Sequence, residues 1–327
     1  MDKLTEKNKK VIEGLIKNNL GIRAEENVLV LADEGTDVLV RDEVVSAARA
    51  VGAFVTLAMI KMPDLPNTPP PKTIQKALEG TDVFICLTTL EYNHAEAVKV
   101  NVLNNGMRLI SMSGVTRDVL SSPCMEEVDW EELAQLALKV RKTFAQGDMV
   151  EITSDNGTHF TYSLKGKDGG GCYTGIARDI GTFAPCPGGD VSAGAVHGSA
   201  NGIIVFDYFQ MIGKLKTPIR LTVEKSWIVK VEGGEEAEQF KKIISSDPNG
   251  NYLAEALGLG LNPKSVLRGL PDLLNEKTMR GVLHVGIGDA SDYCLPIRCR
   301  FHLDGAIVKP TLKLDGKVLM DKGELRF

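Results

Sequence analysis

The sequence predicts an α/β N-terminal domain with a largely parallel sheet over residues 1–147, followed by a β-rich α+β C-terminal domain over 148–327. Three observations carry that expectation. Short, wholly apolar runs of strand length alternate with helical patterns in the first part, as expected of strands buried on both faces. From Asp148 onward the pattern turns to period-two alternation with tight-turn signals. The length of 327 residues suits two domains better than one core.

The elements follow in order. Leu4, Ile12, Leu15, Ile16 and Leu20 recur at helical spacing. Val28 to Ala32 is an unbroken apolar run and reads as the first strand. An Ala-rich helix follows over Val44 to Val51. Phe54 to Ile60, Val83 to Leu87 and Leu109 to Met112 read as further strands, with a helix over Ala95 to Leu103 between the last two. Leu65 to Pro71 holds four Pro in seven residues and reads as a loop. Trp130 to Ala145 reads as a helix, with Asp129 placed to cap it and Glu131 and Glu132 in its first turn. In the second part, Val150 to Thr153 and Thr158 to Tyr162 alternate across the turn Asp155-Asn156-Gly157. Later strands are expected over Gly202 to Phe206, Ile219 to Val223, Trp227 to Val231, Val282 to Ile287, Cys299 to Leu303 and Ile307 to Leu314. Glu235 to Ile244 reads as a helix, and a shorter one is expected over Tyr252 to Leu257.

Composition narrows the function classes. A net charge of −5 with no basic stripe argues against nucleic acid. No window approaches 18 uninterrupted apolar residues, so no membrane helix is expected. The charged N-terminus is unlike a secretory signal, and a cytoplasmic protein is expected. The six Cys show no C-x-x-C pair and read as reduced thiols. The Gly-rich stretch Lys165 to Gly171 lacks the Gly-Lys-Ser/Thr of a phosphate loop, and no G-x-G-x-x-G follows the first strand.

The chemistry-bearing residues cluster near the C-terminus. His302 and Asp304 are two apart on an expected strand, which puts both side chains on one face. His284 lies on another apolar, Gly-flanked strand eighteen residues earlier. Two His and one carboxylate on neighbouring strands form a minimal metal site. Spacing alone leaves open the commoner case of a satisfied core histidine. Acidic residues that could complete a site lie at Asp190 in a Pro-Gly-Gly-Asp turn, at Glu255 in the expected short helix, and in Asn275-Glu276-Lys277 before the His284 strand. One metal would make an open iron site, and extra carboxylates would allow a bridged metal pair that activates water.

Several stretches carry a resemblance: Pro187 to Val191, Ser199 to Asp207, Val231 to Ala237, Leu253 to Pro263, Gly281 to Asp289 and His302 to Gly305. Together they resemble the metal-dependent aminopeptidases of the aminopeptidase T and aminopeptidase S type, and their relatives the 2,5-dihydroxypyridine 5,6-dioxygenases. Weaker similarity runs through Tyr92 to Ala97. The peptidase resemblance implies a metal site of His284, His302, Asp304, Asp190 and a bridging or basic Glu255. It also implies Zn, Co or Mn as the metal, and Tyr293 as the Tyr closest to the family's catalytic one. The dioxygenase resemblance implies one Fe(II) on His302, Asp304 and a His near position 255 or 256, where this chain has Glu255 and Ala256. Because His284 is the peptidase-like feature, the expected activity is a hydrolase that releases N-terminal residues from peptides. The ring-cleaving dioxygenase is the alternative, and a non-catalytic binding protein of the same fold is a third. A small peptide or other small molecule is the expected substrate. The expected assembly is a homodimer, with the site in a cleft between domains or subunits.

Overall fold

The structure is a computed structural model describing residues 3–270 and 275–327, with the backbone alone at Glu255 and Ala256. Two compact units are present. One comprises Met1–Trp130 with Tyr173–Gly188, the other Glu131–Cys172 with Gly189–Phe327. The chain passes between units at Trp130, Cys172 and Gly188, where the sequence reading drew one division after residue 147.

The first unit opens with α1 (Glu6–Gly14). It is held at its start by a reciprocal cap: the Asn8 N–H donates to Thr5 Oγ1, and the Thr5 N–H donates to Asn8 Oδ1. Strands and helices then alternate: β1 (Asn27–Asp33), α2 (Val38–Ala50), β2 (Phe54–Ile60), α3 (Lys72–Leu78), β3 (Val83–Cys86), α4 (Glu96–Asn105) and β4 (Arg108–Ser111), followed by the short α5 (Arg117–Leu120) and α6 (Pro123–Glu126). β1 and β3 carry the buried apolar runs expected of a covered parallel sheet, and β4 adds Leu109 and Ile110 between a buried Arg108 and Ser111. Leu29, Leu31, Phe84 and Leu109 pack with Ile74, Leu78, Val98 and Val102 of the helices.

α7 (Trp130–Gln146) leads into β5 (Met149–Thr153), β6 (His159–Ser163), β7 (Gly171–Tyr173) and β8 (Phe183–Pro185). β8 departs from expectation by joining the parallel sheet, whose order is β2-β1-β3-β4-β8.

The remaining elements are β9 (Asp190–Ala193), β10 (Asn201–Phe209), β11 (Gly213–Glu224), β12 (Trp227–Glu232), α8 (Glu235–Ile244), β13 (Leu253–Gly260), β14 (Val282–Gly288), β15 (His302–Val308), β16 (Thr311–Leu314), β17 (Lys317–Asp321) and β18 (Glu324–Leu325). Their strands, with β5, β6 and β7, build the second sheet, in the order β18-β17-β16-β5-β6-β10-β15-β14-β13-β9-β7, with β11 added beside β10 and β12 beside β11. The expected short helix over Tyr252 to Leu257 is instead β13, antiparallel to both β14 and β9. Flanked on both sides, this stretch gains ladder hydrogen bonds that a two-turn helix could not match, so tertiary pairing overrides its Leu and Ala content. Among the described residues, no helix is long and apolar enough to cross a membrane.

Candidate metal centre on the antiparallel sheet

The strand register assembles the site. β14 and β15 pair so that His284 faces Ala306, Gly286 faces Asp304 and Gly288 faces His302. Side chains directly opposite share a face, and so do residues two apart. His284, His302 and Asp304 therefore share one face, and the places between them are filled only by Gly286, Gly288 and Ala306. On the other side of β14, Gly258 of β13 faces His284; on the far edge of β13, Gly258 faces Ser192 and Gly260 faces Asp190 of β9. The four polar candidates thus stand among glycines and an alanine, which leave their rings and carboxylates room to approach. Gly258 is indispensable to this layout: a Cβ there would fall inside the His284 imidazole.

His302 and Asp304 make the tightest pair. His302 Nε2 lies 3.5 Å from Asp304 Oδ1, and both side chains are almost wholly buried. His302 Nδ1 lies 2.9 Å from the Asp289 carbonyl oxygen. A carbonyl only accepts, so Nδ1 carries the proton and donates, which leaves Nε2 to face the carboxylate. Asp289 is itself held: its carboxylate accepts the Ser291 N–H and the Cys299 N–H, each at 3.1 Å. The Asp304 backbone is fixed by Gln210, whose N–H donates to the Asp304 carbonyl and whose Oε1 accepts the Asp304 N–H.

Asp304 Oδ2 accepts from Lys277 Nζ at 3.3 Å, while Oδ1 is buried with no hydrogen-bond partner among the described residues. Burial alone would push this carboxyl up. The Lys277 ammonium outweighs burial and holds it well below the usual carboxylate range. His284 and Asp190 form a second, looser pair, with His284 Nε2 3.9 Å from Asp190 Oδ2. That same oxygen accepts the Ser192 hydroxyl at 3.1 Å.

The remaining candidates are placed as follows. The Glu255 backbone pairs with Gly286 between two bulges, and its side chain lies outside the described residues. Tyr293 ends a single helical turn after β14, and its ring lies against Gly194, just beyond β9. Glu276 is a structural clamp, accepting the Arg268 and Gly269 N–H groups, each at 2.6 Å. Its neighbour Lys277 is the residue that reaches the site, and sequence reasoning passed over it. The one available signal was a Lys in the turn that feeds the His284 strand. His159 is exposed beside Glu151, and His197 Nδ1 meets the Tyr252 hydroxyl at 2.8 Å.

The pair fits a metal as two neighbouring donors. Ligands about 2.1 Å from one ion sit roughly 3.0–3.4 Å from each other, close to the 3.5 Å between His302 Nε2 and Asp304 Oδ1. Among the described residues Asp304 Oδ1 is a buried acceptor without a hydrogen bond, and the His302 ring is oriented from behind by a carbonyl, an outer-sphere arrangement common to metal-bound imidazoles. Among the described residues, no group of three His, Cys, Asp or Glu is gathered as a complete cage. The observed unit is a two-donor half-site.

Comparisons with known proteins agree on the fold and correct the chemistry. Residues 17–327 match the family model described as NicX, 2,5-dihydroxypyridine 5,6-dioxygenase. No curated protein matches. The fold resembles the structure of 2,5-dihydroxypyridine dioxygenase from Pseudomonas putida KT2440, with a TM-score of 0.80, 19% identity, and coverage of 98% of this chain and 96% of that one. It also resembles wild-type AmpT from Thermus thermophilus, with a TM-score of 0.70, 14% identity, and coverage of 98% and 99%. Both structures share the fold of this chain. The expectation of a metallo-aminopeptidase, with its hydrolase and metalloprotease class, is overturned by the family match. It had leaned on His284, a single position, whereas the match draws on nearly the whole length. The chain belongs to the NicX family, the 2,5-dihydroxypyridine 5,6-dioxygenases.

Proposed function

We propose that this protein is an Fe(II)-dependent ring-cleaving dioxygenase acting on a hydroxylated pyridine of the 2,5-dihydroxypyridine type. The observation that supports this best is the His302–Asp304 half-site, with its ring tautomer set by the Asp289 carbonyl. His302 Nε2 and Asp304 Oδ1 would hold the metal. His284, on the same face of the sheet, is the third donor that this reading assigns. Such a two-His, one-carboxylate set with open positions suits non-haem Fe(II). When bound, the iron supplies the redox chemistry that lets molecular oxygen react with the ring.

The chain's own residues prepare the site for this. Asp289 keeps the His302 proton on Nδ1, away from the donor nitrogen. Lys277 keeps Asp304 ionised. Gly258, by lacking a side chain, leaves the space that the His284 ring fills.

The test is oxygen uptake. Chelator-treated protein reloaded with Fe(II) under anaerobic conditions should consume oxygen when given 2,5-dihydroxypyridine, with both oxygen atoms appearing in the ring-opened product. His302→Ala should lower this by at least about a thousandfold, the scale expected when a metal centre loses a ligand. Fe(II)-loaded protein that takes up no oxygen with any of a panel of dihydroxypyridines would sink the reading.

A further inference from the structure

We propose that Lys277 is a built-in counter-cation of the half-site: its ammonium shares Asp304 with the metal and weakens the pair's hold on a divalent ion. The inference rests on reading His302 and Asp304 as metal ligands. The two carboxylate oxygens are divided between partners. Oδ2 accepts from Lys277 Nζ at 3.3 Å, and Oδ1 faces His302 Nε2 at 3.5 Å. The Lys277 and Asp304 side chains are only 14% and 5% exposed, so water screens this pair poorly.

Two consequences follow from charge alone. A buried carboxylate is costly unless a cation compensates it. Lys277 provides that compensation, so β15 can hold Asp304 in ligand position whether or not a metal is seated. An ammonium on one oxygen also lies within a few ångströms of any dication seated on the other, and in a poorly screened interior that repulsion is strong. Lys277 therefore stabilises the protein without metal and lowers its affinity for metal.

The backbone under Lys277 leaves it little freedom to withdraw. Glu276 is clamped to the Arg268 and Gly269 N–H groups. The Met279 N–H donates to the Asn275 carbonyl, and the Thr278 hydroxyl does so at 3.2 Å. Ser265 Oγ lies 3.0 Å from Thr278 Oγ1. Lys277 is thus presented to Asp304 by a turn fixed on both sides, and only its own stem can bend.

The experiment measures metal affinity directly. Full-length protein is stripped with chelator and titrated with Mn(II), free Mn(II) being read by electron paramagnetic resonance. Melting temperature is recorded with and without Mn(II). Lys277→Gln should bind Mn(II) at least about tenfold more tightly than wild type, melt lower in chelator, and gain more on Mn(II) addition. Lys277→Met keeps the stem without the charge and should behave the same, which guards against one variant failing to fold. Lys277→Arg keeps the charge and should stay near wild type. A purely structural lysine would lower stability without tightening metal binding. If wild type binds Mn(II), His302→Ala does not, and the neutral variants bind no tighter than wild type, the role of Lys277 is overturned alone. If neither wild type nor the neutral variants take Mn(II), the metal reading falls and this proposal with it.

Discussion

Asp304 serves three neighbours at once: the Lys277 ammonium on one oxygen, the His302 ring on the other, and Gln210 along its backbone. Its depressed carboxyl pKa ties the site to pH with a definite sign. A group whose folded pKa lies below its unfolded value adds stability above the unfolded pKa and loses it as pH falls toward the folded one. The unfolded reference for Asp is about 3.9. In metal-free protein, the unfolding free energy of wild type minus that of Asp304→Asn should therefore be flat from neutral pH down to roughly pH 5. It should shrink only on further acidification. Urea unfolding across that range checks it, and a difference that already collapsed between pH 7 and 5 would show that Asp304 is not held in its charged form.

At the scale of elements, the site depends on two antiparallel ladders staying in register. A one-residue slip of β15 against β14 would send His302 and Asp304 to the opposite face together. The neighbouring β13 contributes by what it lacks. Gly258 faces His284 with no side chain, and the imidazole occupies the space where a Cβ would stand. Gly258→Ala should push the ring off its position, because the contact is with the near edge of a packed imidazole rather than with a flexible tip. The expected cost is about 1–3 kcal/mol of stability, typical of overpacking. If His284 is the third donor, Mn(II) affinity should also fall by about 10- to 100-fold, the range for a disturbed ligand shell. Retained affinity in a folded variant would remove His284 from the ligand set. The sequence reading placed Glu255 on a helix, where a one-residue slip turns a side chain by about 100°. β13 is a strand with bulges on either side of Glu255, a local irregularity that no residue spacing announces.

Across the whole molecule, legibility followed periodicity. β1 and β3 could be read because strands covered on both faces are continuous apolar runs, and β14 and β15 because their His and Asp stand in apolar surroundings. β8 was hidden: Phe183 to Pro185 is too short to show a period, and only its pairing with β4 makes it a strand of the parallel sheet. Lys277 was hidden for another reason, since a lysine before a strand ordinarily reads as solvated and nothing in sequence brings it to a residue 27 positions away.

The fold does not decide the chemistry. A dioxygenase and AmpT both superpose on nearly the full chain, at TM-scores of 0.80 and 0.70, and one scaffold can carry unrelated reactions. The family match over residues 17–327 favours the dioxygenase, and the described donors agree with it. The tight described unit is one His–Asp pair with an ammonium on the far carboxylate oxygen, and His284 with Asp190 forms a separate, wider pair. Two adjacent ions that clamp a water and a scissile carbonyl need several carboxylates close together. Here the ammonium of Lys277 occupies the outer oxygen that a bridging carboxylate would offer to a second ion. Protein loaded in turn with Zn, Co and Mn should therefore leave aminoacyl-nitroanilides and dipeptides intact, while the Fe(II)-loaded form consumes oxygen with 2,5-dihydroxypyridine. Hydrolysis that depends on added metal and disappears in His302→Ala would return the scaffold to peptidase chemistry. It would also show that the far oxygen of Asp304 is available to a second ion after all.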